Sequence, residues 1–269
     1  MKKTETENTA FLQTFWEDKS YKLAFLERPA VKENTEKTPL IIWFTGFRST
    51  MRGIKAERID QWAAKHGLGC IRFDYSGHGE SDGEFEECTL SRWLADAMHI
   101  IEFFNQKHIL LAGSSMGGWL ALLCALRLKK NRPDIRISGL LLLAPAINLT
   151  EELIWNQLPD IYQTQLMEEG KIMLPYPDAD NPVPITRALI EDGRQYLLYR
   201  EFTELGIPVH ILQGKQDKTV PWKTAQTLFE NLPQDPVSLT FIHDAAHGLE
   251  RAGDLEMIER ILEGMLQKS

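Results

Sequence analysis

His108-Ile109-Leu110-Leu111-Ala112-Gly113-Ser114-Ser115-Met116-Gly117-Gly118-Trp119-Leu120 is the stretch whose reading decides the fold. Its first five residues are a short apolar run, the pattern of a strand buried on both faces of a sheet. From Gly117 to Leu128 the chain is apolar almost all round, which predicts a buried helix. Between the two lies a turn of the form G-x-S-x-G, Gly113 to Gly117. Alone, that pattern arises by chance in roughly one chain of this length in ten. A strand before it and a helix after it give it the setting of a nucleophile elbow. Side chains at 113 and 117 would collide with the neighbouring strand and helix, so glycine is needed at both. Ser115 also falls at a helix N-terminus, where backbone N–H groups favour developing negative charge. Ser114 lacks the offset from both glycines; Ser115 is the expected nucleophile.

Outward from this turn, residues 40–45, 69–74, 140–144, 208–213 and 237–242 repeat the short buried-strand pattern, and residues 21–27 alternate as an earlier strand. Between them lie helical periods. Leu90, Trp93, Leu94, Ala97, Met98, Ile101 and Phe104 recur three and four apart, and residues 255–266 are amphipathic. The alternation predicts the α/β class: a mostly parallel central sheet with right-handed crossovers, flanked by helices. Residues 147–200 break it with helical fragments, Pro175, Pro177, Pro182 and Pro184, and no strand signal. A bare loop of that length is uncommon, so a small helical cap (147–200) inserted into a core of 1–146 and 201–269 is expected.

A serine hydroxyl is a poor nucleophile without a base, and the base needs an orienting carboxylate. On an elbow of this type the chain order is serine, acid, histidine. Asp217 follows the strand at 208–213 and the turn Gly214-Lys215-Gln216, which puts a carboxylate at the C-terminal edge of the sheet. Asp235 and Asp244 do not follow a strand in this way. His247, in the loop Asp244-Ala245-Ala246-His247-Gly248, is the expected base, and His243 at the strand end its neighbour. The oxyanion donors should be the backbone N–H groups of Met116 and of Phe47, in the loop after the first buried strand. In the cap, Trp155 and Leu158 are candidates for an acyl-binding wall; packing the cap onto the core explains them equally well. The loop Asp74-Tyr75-Ser76-Gly77-His78-Gly79-Glu80-Ser81 reads as structural, braced by Asp74 and Ser81, with His78 outside the chemistry.

Composition removes other classes. A net charge of -8 argues against a nucleic-acid footprint, and apolar runs such as 139–146 are too short to span a bilayer. Cys70, Cys88 and Cys124 cannot all pair and show no metal spacing. With a polar N-terminus carrying Glu5 and Glu7, they suggest reduced thiols in a cytoplasmic protein. No G-x-G-x-x-G follows the first strand and no phosphate-binding loop is present, so neither cofactor nor metal is expected.

Longer runs carry a closer resemblance: residues 46–56 (G-F-R-S-T-M-R-G-I-K-A), 73–83 (F-D-Y-S-G-H-G-E-S-D-G), Glu86-Glu87 with Thr89-Leu90 and Trp93, 113–120 (G-S-S-M-G-G-W-L), 156–159 (N-Q-L-P) and 217–222 (D-K-T-V-P-W). Together they resemble the palmitoyl-protein thioesterase and acyl-glucuronide esterase branch of the α/β-hydrolase-domain-containing proteins, over about residues 40–250. The resemblance implies the α/β-hydrolase fold with a cap, a Ser115–Asp217–His247 triad, and cleavage of S-acyl thioesters and acyl-glucuronide esters. The expected substrate is a small-molecule ester or acyl thioester, with an acylated protein as a further candidate. Two other readings are a ligand-binding protein that keeps the hydrolase shell, and a serine peptidase on the same scaffold.

Overall fold

The computed structural model describes residues 8–31, 38–175, 182–199 and 204–267. The expectations for residues 1–7, for Pro177 and for the cap boundary at residue 200 lie outside those residues.

A hairpin of β1 (Ala10–Trp16) and β2 (Lys19–Arg28) opens the fold. It turns on Glu17 and Asp18, at φ 46° and 64°. Two positive φ values are what a two-residue hairpin turn needs to match the twist of its strands. The chain continues through β3 (Leu40–Phe44), α1 (Ile54–His66), β4 (Cys70–Phe73), α2 (Leu90–Phe104), β5 (His108–Ser114), α3 (Met116–Asn131) and β6 (Arg136–Leu143). Next come α4 (Asp160–Glu169), β7 (Lys171–Leu174), β8 (Val183–Thr186) and α5 (Arg187–Gly193). The chain closes with β9 (Val209–Gly214), α6 (Trp222–Glu230), β10 (Val237–Ile242) and α7 (Ala252–Gln267).

Eight strands form one sheet in the order β1-β2-β4-β3-β5-β6-β9-β10. The six from β4 onward are parallel to one another, while β1 and β2 join antiparallel. Those six are the apolar runs expected from sequence, and β2 is the expected early strand. β1 was not expected, and its outward Phe11 and Phe15 stay exposed at the sheet edge. One face of the sheet, presenting Ile42, Phe44, Leu111 and Leu142, packs with α2, α3 and α6. The other, presenting Ile41, Trp43, Leu110 and Leu141, packs with α1 and α7. Trp62, Trp93 and Trp119 anchor these layers, each at most 1% exposed. Burying an aromatic side chain removes ~200 Å² from water, worth about 5 kcal/mol before the entropy of ordering it is counted.

After β3 the chain crosses to β4 on one side; β5 returns to pair with β3 on the other. The order reverses there, opening a crevice at the carboxyl ends of β3 and β5. The loops that follow these two strands are the ones holding Phe47 and Ser115.

The described residues between 147 and 199 lie outside the eight-stranded sheet. A π-helical turn (Leu149–Ile154), two 3₁₀ turns (Trp155–Gln157 and Arg194–Tyr196), α4 and α5 supply the helical fragments expected there. The structure adds a two-stranded antiparallel sheet, β7 with β8, where no strand is expected from the residue pattern. Its strands are only four residues long and β8 contains Pro184, which is why no alternation registered. The segment is tied to α2: Asp192 accepts from Ser91 N at 2.7 Å and from Ser91 Oγ at 2.6 Å. A carboxylate there also suits the positive end of that helix.

Candidate active site

Ser115 joins β5 to α3 with φ 56° and ψ −123°, a conformation that L residues rarely adopt. Backbone on every side enforces it. A Cβ at Gly113 would stand 2.3 Å from the Gly117 carbonyl oxygen, and one at Gly117 would stand 2.2 Å from that of Phe44. Ser115 N donates to Leu143 O at 2.9 Å, while Ser115 O accepts from Gly118 N and Ala146 N at 2.9 and 3.0 Å. The strained turn is thus held by hydrogen bonds from β6 and from its own helix. Its hydroxyl faces the crevice, and the residue is 6% exposed.

Asp217 and His247 arrive from the far side of the sheet. Asp217 sits three residues beyond β9, and each of its oxygens is held. Oδ1 accepts from Thr219 N at 2.9 Å and Val220 N at 2.8 Å. Oδ2 accepts from Gln213 Nε2 at 2.9 Å and lies 2.8 Å from His247 Nδ1. His247 Nε2 is 3.1 Å from Ser115 Oγ. An Nδ1–H donated to Asp217 leaves Nε2 with a lone pair directed at the hydroxyl. The three expected residues therefore meet in one hydrogen-bonded chain. Their rivals do not: Asp235 accepts from Leu205 N and Gly206 N, Asp244 pairs with Arg251 at 2.8 Å, and His243 is exposed.

Close contact brings the histidine loop back over the sheet. Gly214 packs against Ala245, where an added Cβ would stand 2.3 Å from the Ala245 carbonyl oxygen, and Gln216 N donates to that same oxygen at 2.9 Å. Next to Ser115, Gly46 and Phe47 follow β3. Arg48 turns at φ 61°, and Ser49 N closes the turn on Gly46 O at 3.0 Å. Met116, as the first residue of α3, has a backbone N–H outside the helix's own ladder.

The loop at 74–81 supports this region in a way its sequence did not disclose. Asp74 Oδ1 accepts from Met51 N at 2.7 Å and Oδ2 from Glu80 N at 3.0 Å. Ser81 Oγ donates to Asp74 O and accepts from Ala24 N, so Asp74 and Ser81 brace the loop as expected. His78 does more than was expected. Its Nε2 accepts from Arg48 N at 3.2 Å while Nδ1 lies 3.2 Å from Ser76 O. Burial lowers its pKa to about 4, so the ring stays neutral and keeps an acceptor on the loop beside Phe47.

A cavity of about 410 Å³ opens at Ser115, with Phe47, Arg48, Lys55, His247 and Glu250 in its walls. Trp155 and Leu158 do not line it. Leu158 is buried with the main core, and Trp155 packs against that core with the Arg194 guanidinium 5.0 Å from its ring centre. Their contacts here are with the main core. All three cysteines are buried; burial pushes the Cys88 thiol up to about 12 and raises Cys124 as well, so both stay protonated and unreactive.

Residues 35–187 match a family model described as "Serine aminopeptidase, S33". A Pongo abelii protein named "Palmitoyl-protein thioesterase ABHD10, mitochondrial" is 31% identical over 252 residues, 91% of this chain and 80% of its own length. The chain belongs to the α/β-hydrolase family. Two solved structures are similar to this α/β-hydrolase. One, from Agrobacterium vitis, has a TM-score of 0.91 at 38% identity and covers 97% of this chain and 100% of its own. The other, "Alpha/beta hydrolase domain-containing protein 10 from mouse", has a TM-score of 0.83 at 27% identity and covers 97% and 99%. The fold is that of an α/β-hydrolase and the protein is an enzyme. Among the described residues no helix is long and apolar enough to cross a membrane.

Proposed function

We propose that this enzyme hydrolyses carboxylic esters and thioesters through an acyl-enzyme on Ser115. The observation that carries the reading is the chain from Asp217 Oδ2 through His247 to Ser115 Oγ, at 2.8 and 3.1 Å. Ser115 Oγ attacks the acyl carbon as His247 Nε2 takes its proton. The tetrahedral oxyanion is held by the N–H groups of Met116 and Phe47. His247 then gives the proton to the departing thiolate or alkoxide, leaving Ser115 acylated. Water, deprotonated by the same imidazole, attacks the ester, and the carboxylic acid leaves as Oγ regains its proton. Asp217 fixes the tautomer throughout.

Thioester substrates are favoured by the relative named a palmitoyl-protein thioesterase, which matches nearly the whole chain, whereas the aminopeptidase-described model covers residues 35–187. A small-molecule ester or acyl thioester is the proposed substrate, with an acylated protein as a further one. An assembled triad favours turnover over ligand storage in the same shell. The division into core (1–146, 201–269) and cap (147–200), with Trp155 and Leu158 as candidates for an acyl-binding wall, belongs to this proposal. So does a cytoplasmic location, which buried, protonated thiols at Cys88 and Cys124 suit and which the mitochondrial relatives make worth measuring by cell fractionation.

Labelling with a fluorophosphonate, then hydrolysis of p-nitrophenyl esters and acyl thioesters of rising chain length, tests the reading. Wild type should label and Ser115→Ala should not. A folded wild type that fails to label, or labelling that survives Ser115→Ala, overturns the mechanism. A preference for acetyl over long acyl chains overturns the long-chain thioesterase assignment alone.

A further inference from the structure

Lys55 is the second residue of α1, at the end of a helix where a cation opposes the dipole. Its side chain is nonetheless only 13% exposed, an unusual state for a lysine without partners. The partners lie far away in sequence. Nζ donates to the carbonyl oxygen of Gly248 at 2.5 Å, across 193 residues, and reaches Glu250 Oε1 at 3.3 Å. Gly248 directly follows His247, and Lys55 shares the wall of the cavity at Ser115.

The loop that carries His247 is fastened on two sides. Before the histidine, backbone does the work: Gln216 N bonds to Ala245 O, and Gly214 lets the two segments touch. After it, Leu249 sits at φ 50°, a conformation unfavourable for leucine, with its side chain buried. A loop bent in that way needs something to hold the preceding carbonyl in place, and the Lys55 ammonium does so. A charge-assisted bond is stronger than a neutral one and fixes direction as well as distance.

We propose that Lys55 is a positioning residue for the His247 base: its ammonium holds the Gly248 carbonyl and thereby sets the imidazole within reach of Ser115 Oγ. Glu250 balances the charge and contributes little to the alignment. The inference rests on the acyl-enzyme reading above. It concerns how fast His247 moves the proton, not whether substrate binds.

Turnover should be measured per active site, with sites titrated by the fluorophosphonate so that misfolded protein is not counted. Lys55→Met should lower kcat about 10- to 100-fold with KM within about twofold. In Lys55→Cys, alkylation with 2-bromoethylamine restores a side chain of lysine length and charge, and most of the lost kcat should return. Wild type treated alike is the control, since its three thiols are buried. Recovery on aminoethylation is the readout a purely structural lysine would not give. Should Lys55→Met fail to fold, the Lys55→Cys pair decides by itself. Per-site turnover within twofold of wild type in either variant overturns the proposal, as does a rise in KM at constant kcat. A wild type that never labels removes the acyl-enzyme reading; a wild type and Lys55 variants that label and turn over alike remove only this inference.

Discussion

The serine turn and the histidine loop reach the same hydrogen bond by opposite means. Ser115 is fixed by backbone: Gly113 and Gly117 leave no room for a Cβ, Leu143 at the end of β6 supplies the acceptor for Ser115 N, and Gly118 N and Ala146 N donate to Ser115 O. His247 sits in an irregular loop beyond the last strand, half-buried, oriented by the Asp217 carboxylate and the Lys55 ammonium. A site built from backbone sterics tolerates almost no change, and change there costs the fold. One built from side-chain tethers tolerates change in stability but not in rate. The two halves of the site should therefore fail differently.

The largest effects isolate chemistry from folding. Asp217→Asn and His247→Ala should each lower kcat on the order of 10⁴-fold or more while leaving the thermal midpoint within a few degrees. Near-normal rates in either variant would pass the role to Asp235, Asp244 or His243. On the other side of the contrast, Gly117→Ala drives a methyl against the Phe44 and Thr45 carbonyls and should cost more than ~4 kcal/mol in denaturant unfolding, or yield no soluble protein. A Gly117→Ala enzyme of ordinary stability would show that the turn is held by something other than sterics.

His78 lies between the extremes, because a side chain there supports the serine half. His78→Asn should reduce kcat about tenfold with little change in KM, through loss of the acceptor for Arg48 N–H. It should also change how stability responds to acid. The folded pKa is about 4, lower than the ordinary value of 6.5, so between these the unfolded chain binds the proton that the folded one refuses. Stability from this group is full above 6.5 and falls with pH down to about 4, by about 2 kcal/mol at about pH 5. The wild-type minus His78→Asn difference in unfolding free energy should lose that amount between neutral pH and pH 5; a difference that stays flat would contradict the buried neutral ring. Smallest of all, Glu250→Gln should alter kcat by less than about threefold, since its side chain is 44% exposed and the pair is screened by water.

Much of this was legible beforehand, for reasons that differ from residue to residue. The central parallel strands, β3 and β5 above all, are buried along nearly their whole length and read as short apolar runs, while β10 at the sheet edge is only half-buried and shows through Val237, Leu239, Phe241 and Ile242. The elbow is spelled by glycines that sterics leave no choice about. Asp217 and His247 could be reached because chain order and strand ends constrain them. β1 was not legible: Phe11 and Phe15 point to solvent, and its turn is Glu17-Asp18 where Asn-Gly would have announced a hairpin. β7 and β8 were hidden by their length and by Pro184. Lys55 carries no local signal, because its meaning lies in a carbonyl 193 residues later. Trp155 and Leu158 show the converse: hydrophobic residues in a cap suggest an acyl wall, yet here they pack inward and the cavity at Ser115 is walled by other residues.

The sheet order also has a consequence for the chain while it is being made. Strands β3, β5 and β6, which shape the serine turn and the loop holding Phe47, are complete by Leu143, but His247 comes 132 residues after Ser115, behind the last strand. On a ribosome the nucleophile emerges long before the group that can activate it. Under the proposed mechanism a half-made chain carries an unarmed serine, and reactivity toward acyl groups begins only when β10 has docked and His247 is in place.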